Sequence, residues 1–169
     1  MRGVVAGVIG AWVMDRVTWA LLDRQDRRAI EREKAARPDR LDVSHLLAYR
    51  AADAVGARRV ERDQPSTMGM AIHYGLNISP AILYALLRAR DLRFAGDRGL
   101  LYGLCIFLLW DELGSVALGV ARPPRAYPWQ AHLRGLVGHL ALGAATHVAL
   151  TALEADFGRR TLARRHRGA

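Results

Sequence analysis

MGMAIHYGLNISPAILYALL, residues Met68 to Leu87, runs for twenty residues without a formal charge and holds one histidine, His73. Such a stretch is long enough to cross a bilayer, since about twenty residues at 1.5 Å each cover a hydrocarbon core of roughly 30 Å. Three more runs of this kind accompany it. Gly3 to Leu22 is interrupted by Asp15 and Arg16, and Gly99 to Val120 contains the adjacent pair Asp111 and Glu112. Leu133 to Leu153 carries Arg134 near its start and His139 and His147 further in. Only five of the 41 formally charged side chains fall inside the four runs. A small soluble domain cannot bury four such helices all round, because each needs a polar face toward water. The sequence therefore predicts an all-α integral membrane four-helix bundle. It forms a single domain over residues 1–169, with helices at about 3–22, 68–87, 99–120 and 133–153.

The averages conceal this segregation. Mean hydropathy is +0.02 and the formal net charge is +9, values that suit a soluble basic protein. The lone Cys105 excludes an internal disulfide scaffold, and the apolar content excludes disorder. An isoelectric point near 10.9 passes a first screen for nucleic-acid binding. The arginines are better explained as membrane flanks, so the expected partner is the lipid bilayer and no nucleic acid. A cleaved signal peptide is not expected, because Asp15 and Arg16 stand where a small-residue cleavage site would lie.

Residues 23–67 form a long charged connection with 11 basic and 9 acidic residues. Its first half reads as a charged helical extension of the first span, ended by Pro38. In its second half Val43, Leu46, Leu47, Ala51, Ala54 and Val55 share one helical face. That pattern fits a short helix lying on the bilayer or packed on the ends of the spans. Pro123, Pro124 and Pro128 define a stiff turn before the fourth span. Tyr127 and Trp129 beside it suit the headgroup zone. The Arg88–Arg98 connector has four arginines and the tail 154–169, read as a solvated end, has five. By the positive-inside rule both termini are cytoplasmic, although the basic residues of the long connection pull the other way.

Ionisable groups within hydrocarbon cost about 2.5–3.5 kcal/mol each on insertion scales, and they mark a candidate site. Counted from the membrane side shared by Leu22, Met68, Val120 and Leu133, Asp15 lies 7 residues in and His73 lies 5. Asp111, Glu112 and His139 lie 9, 8 and 6 residues in. At 1.5 Å per residue the layer spans depths of about 8 to 14 Å, and all four helices contribute to it. His147 stands apart. Gly3, Gly7, Ala11 and Asp15 recur every fourth residue, so Asp15 points into the bundle along a small-residue stripe. Gly99 with Gly103, and Gly135, His139 and Gly143, make comparable stripes. Adjacent residues on a helix diverge by about 100°, so one of Asp111 and Glu112 should face His139 and the other the first or second helix. Pro80 should free the carbonyl of Leu76, with Asn77 or Ser79 near enough to satisfy it.

Several chemistries fit Asp15, His73, Asp111, Glu112 and His139. They can satisfy one another as a structural network. They can handle protons, since histidine titrates near neutrality and desolvation retunes carboxylates. Two histidines and carboxylates could also ligate zinc or iron, with His73, His139, Asp111 and Glu112 as the candidates. No HExxH spacing or cysteine pair supports a metal, and no cofactor is expected. Haem held by His73 and His139 would leave the neighbouring acids unexplained. No Gly-rich phosphate loop or GxSxG elbow is present, so no classical enzyme motif identifies a catalytic residue. A small membrane-embedded enzyme using the same layer stays the competing class. Transport by so small a bundle would require a homo-oligomer.

The HYG of His73–Gly75 with Tyr84, WDELGSVALGVARPPRAYPW of Trp110–Trp129, and GHLALG of Gly138–Gly143 together resemble the YagU-like bacterial inner-membrane proteins, a family of unknown function. The likeness covers most of Met68 to Leu153. It implies an integral protein of the bacterial inner membrane and a link to acid tolerance in one branch. It brings no established catalytic residue, and Asp111, Glu112, His139 and His73 carry over only as family-type polar positions.

Overall fold

The computed structural model describes residues 1–56, 66–91 and 96–167, with side chains described as far as residue 157. Its elements are α1 (Arg2–Leu22), α2 (Arg27–Ala36), α3 (Val43–Ala54), α4 (Thr67–Arg90), α5 (Leu100–Ala117) and α6 (Trp129–Arg167). Short 3-10 turns lie at Pro38–Arg40 and Pro124–Ala126, and the described residues contain no strand. Four helices, α1, α4, α5 and α6 as far as Phe157, are long and apolar enough to cross a membrane.

Small side chains face inward and large ones outward. On α1 the buried residues are Gly3, Ala6, Gly7, Gly10, Ala11 and Met14, whereas Trp12 is 55% exposed. Leu109 on α5 and Val148 on α6 are each 65% exposed. Water would penalise this arrangement, which leaves many large apolar side chains of these helices exposed. Lipid favours it, because close backbone approach then supplies the packing.

The glycine stripes make those approaches. A Cβ at Gly3 would stand 2.9 Å from Cα of Ile82, and one at Gly7 would stand 2.9 Å from Cβ of Ala81, so α1 lies directly on α4. Gly10 packs on Leu142 and Thr146 of α6. Gly143 of α6 meets the Gly99 carbonyl so closely that any Cβ would collide with it, and Gly103 meets the His139 carbonyl likewise. Tyr84 of α4 stacks on Tyr102 of α5 with ring centroids 4.7 Å apart.

Several boundaries differ from the sequence reading. The third span stops at Ala117 rather than Val120, because Gly119 takes φ +66° and the Val120 and Ala121 N–H groups both turn back to the Ser115 carbonyl. The fourth helix starts at Trp129, directly after Pro128, and continues to Arg167, so the tail is helical well beyond Leu153. The first half of the long connection does not extend α1. The chain turns at residues 23–26 and Asp26 caps α2 as a separate helix, its carboxylate accepting from the Ala29 N–H. Asp42 caps α3 in the same way through the His45 N–H at 3.0 Å.

On α3 the buried face is Leu46, Ala48 and Ala52, while Ala51, Ala54 and Val55 are exposed. The face is rotated from the expected one because α3 packs on the start of α4, where His45 fills the space above Gly69. Arg50 reaches across from α3 to donate to the Gly119 carbonyl at 2.9 Å, tying it to the end of α5 as well. Near Pro80, Asn77 Nδ2 donates to the His73 carbonyl and Ser79 Oγ to the Gly75 carbonyl, both at 2.8 Å. Neither serves Leu76, because each side chain bonds back four residues along its own helix.

Candidate functional site

Three acid–histidine pairs occupy the end of the spans nearest α2 and α3. Asp15 Oδ1 on α1 lies 2.9 Å from His73 Nε2 on α4, and Tyr74 Oη donates to Asp15 Oδ2 at 3.3 Å. Asp111 Oδ2 on α5 lies 3.6 Å from His139 Nδ1 on α6. That separation makes a charge contact rather than a hydrogen bond. His139 Nδ1 donates instead to the Gly135 carbonyl at 2.9 Å. Glu112 Oε1 lies 2.6 Å from Nδ1 of His132, whose Nε2 lies 2.9 Å from the Pro124 carbonyl.

Glu112 therefore turns neither to α1 nor to α4. Both acids face α6, for a reason of backbone geometry. Phe107–Gly114 is a π-helical stretch, whose wider turn brings consecutive side chains closer in direction than the about 100° of an α-helix. His132 and His139 lie seven residues apart on one face of α6 and receive the two acids separately. Among the described residues no hydrogen bond joins the Asp15–His73 pair to the other two. The layer is thus a set of adjacent pairs, not one hydrogen-bonded unit.

The metal candidates are divided by the same geometry. His73 is engaged by Asp15, His139 by a backbone carbonyl and Glu112 by His132. Among the described residues no three His, Cys, Asp or Glu side chains converge closely enough to hold an ion.

A cavity of about 230 Å³ opens beside the α5–α6 pairs. Asp111, Glu112 and His132 form one wall, Glu33, Arg37 and Asp42 of the connection form the roof, and Arg122 and Tyr127 lie at the proline turn. The Asp111 side chain is 39% accessible because it borders this space. The roof is clamped to α6. Glu33 is only 5% exposed, and both of its oxygens accept from Arg134 Nη2 at 2.6 Å. Glu33 Oε1 also accepts from Arg37 at 2.6 Å, and Arg134 donates further to Gln25. Burial pushes the Glu33 carboxyl up, but the Arg134 and Arg37 guanidinium groups outweigh it and hold the carboxyl below its ordinary value. Burial likewise opposes ionisation of Asp42, and the His45 N–H, the His45 ring and the Ser44 hydroxyl reverse the balance.

His147 is not isolated. Its Nδ1 accepts from Tyr84 Oη at 3.0 Å and faces Arg88 Nη1 at 3.2 Å. Arg88 is 6% exposed and also donates to Thr151 Oγ1 at 3.0 Å and Glu154 Oε2 at 2.8 Å. This second polar cluster ties α4 to α6 in the opposite half of the spans. Sequence reasoning missed it by assigning Arg88 to a connector, and missed His132 by starting the fourth span one residue too late. The seven-residue spacing to His139 was the available signal for His132.

Fold and site together define an all-helical protein with four helices able to cross a membrane and paired acids and histidines at one end. No family model, curated protein or solved structure matches the chain.

Proposed function

We propose that this is an integral membrane protein, built as a four-helix bundle with the charged connection at one surface, that takes up and releases protons through its acid–histidine pairs. The observation that carries the reading is His132 between two acceptors. A neutral imidazole has one N–H, and both the Glu112 and Pro124 contacts are satisfied only when the Glu112–His132 pair holds one further proton. The cavity gives that proton a route to water. Asp111–His139 and Asp15–His73 stand behind it as further groups able to share charge.

Response to protons fits better than conduction across the bilayer. Arg88 is buried in the opposite half of the helices with its guanidinium tied to Glu154, Thr151 and the His147 carbonyl, so among the described residues the acid–histidine pairs stop short of that side. The YagU-like motifs support placement in a bacterial inner membrane and a part in acid tolerance. With both termini cytoplasmic, the cavity and its roof face the outside, where acid arrives. A small membrane-embedded enzyme is the second reading, favoured by an acid and a base on one cavity wall. It ranks lower because 230 Å³ is below the roughly 300–1,000 Å³ of small-molecule sites.

The test is an acid jump on vesicle-reconstituted protein followed with a membrane-impermeant pH dye. The reading expects rapid proton uptake that is lost in a Glu112→Gln, His132→Asn double variant, with no acidification of the vesicle lumen. Equal uptake by both proteins would overturn it.

A further inference from the structure

The outer face of α1 carries a charge that the molecule does not neutralise. Arg134 is paired with Glu33 and Arg88 with Glu154, but Arg16 has no carboxylate within ion-pair distance among the described residues. Its neighbour Asp15 is committed to His73 and Tyr74. Arg16 is exposed and lies six residues inside the Leu22 end of α1, about 9 Å along the helix. What surrounds it is aromatic. Its guanidinium stands 4.3 Å from the Trp19 ring centroid and 5.8 Å from that of Trp12, and both tryptophans are more than half exposed.

A second guanidinium folds back onto α1 from the turn that follows it: Arg24 Nη1 donates to the carbonyl of the exposed Ala20, one helical turn beyond Arg16, at 2.5 Å. Asp23 lies beside Arg24 but pairs with neither arginine among the described residues. The Arg16 guanidinium donates no hydrogen bond to any described residue, so its N–H groups are available to an external acceptor.

We infer that Arg16 and Arg24, with Trp12 and Trp19 as side walls, bind the phosphate of an anionic membrane lipid. An unneutralised cation at this depth is costly in hydrocarbon, and a lipid phosphate is the anion the bilayer itself offers at the interface. Arginine suits the task because its planar fork matches phosphate oxygens, and tryptophan rings settle at the same level. The acyl chains would run down α1 past Trp12 and its exposed neighbours Val8 and Ile9. The inference rests on the membrane reading but is independent of the proton chemistry.

Native mass spectrometry of the full chain released from nanodiscs tests it. The discs contain phosphatidylcholine with or without phosphatidylglycerol, and Arg16→Gln, Arg24→Gln and Leu83→Ala variants run in parallel. Wild type and Leu83→Ala should retain phosphatidylglycerol, and the two arginine variants should lose retention about tenfold. Equal retention by all variants would overturn the site. Displacement of the lipid by inorganic phosphate would overturn the commitment to a lipid headgroup. Crosslinking of two chains through Trp12 and Trp19 positions in the absence of anionic lipid would assign the face to a second copy instead. Extraction of wild type from native membranes by alkaline carbonate would refute the membrane reading itself, whereas full retention with unchanged lipid binding refutes the lipid site alone.

Discussion

Glu112 and His132 are joined at 2.6 Å across the α5–α6 contact, the shorter of the two acid–histidine contacts between these helices. His132 is held from behind by the Pro124 carbonyl, so the ring cannot turn away without losing a second bond. Removing the ring should therefore cost more than removing that of His139, whose Nδ1 serves a carbonyl of its own helix. His132→Asn is expected to destabilise the protein by about 1–3 kcal/mol by leaving a partly buried acid unpaired, and His139→Asn by less. Thermal unfolding in detergent checks the order. A larger loss from His139→Asn would count against the pairing.

The roof over the cavity should open in acid. The Glu33 carboxyl is held below its ordinary value of 4.5. A depressed carboxyl stabilises the folded arrangement fully above the ordinary value and loses that contribution as pH falls through the lower folded one. The clamp from α2 to Arg134 is therefore expected to hold above pH 4.5 and to release in more acid solution. Spin labels at the exposed Arg28 and Trp129 positions should show a single narrow distance distribution that broadens at low pH. Glu33→Gln should broaden it at every pH, with about 3–5 kcal/mol lost from docking. A distance distribution that Glu33→Gln leaves unchanged would refute the clamp.

Close helix approach makes glycine positions sharply unequal. Gly143→Ala would drive a methyl group into the Gly99 carbonyl, while at Gly75 an added Cβ meets nothing within 4 Å. The first should cost about 1–3 kcal/mol and the second little. Unfolding in mixed micelles separates them, and equal effects would contradict the α5–α6 contact.

The cluster around Arg88 predicts a non-additive pair. Arg88→Met leaves Glu154, 38% exposed, to solvent and should cost little through charge, whereas Glu154→Leu takes a carboxylate from a buried guanidinium and is expected to cost about 1–3 kcal/mol. The double variant should recover most of the loss, as measured by the same unfolding assay. Simple addition of the two losses would show that Arg88 and Glu154 act separately.

Much of this was legible in the chain, because a helix long and apolar enough to cross a membrane declares itself in local sequence. Met68–Leu87 and its three counterparts identify the spans by length and charge alone, and the Gly3–Gly7–Ala11 stripe marks the packed face of α1. Asp15 follows that stripe inward and meets His73. The Glu112 partner was not legible, because the helix rule of about 100° per residue does not hold in the π-helical Phe107–Gly114 stretch. The Glu33–Arg134 clamp was hidden for a different reason. It links residues 101 positions apart, and no periodicity within either segment encodes such a contact. Arg88 looked like a flank because its acidic partner, Glu154, lies beyond the apolar run of the last helix.

Infrared difference titration of the carboxyl stretch in vesicle-reconstituted protein addresses the central claim, that Glu112 and His132 share an exchangeable proton at the cavity wall. Between neutral and acid solution the wild type should show a carboxyl difference signal that disappears in Glu112→Gln and is altered in His132→Asn, because the two side chains hold the proton between them. A signal absent over that range, or present and unchanged in both variants, would contradict the account.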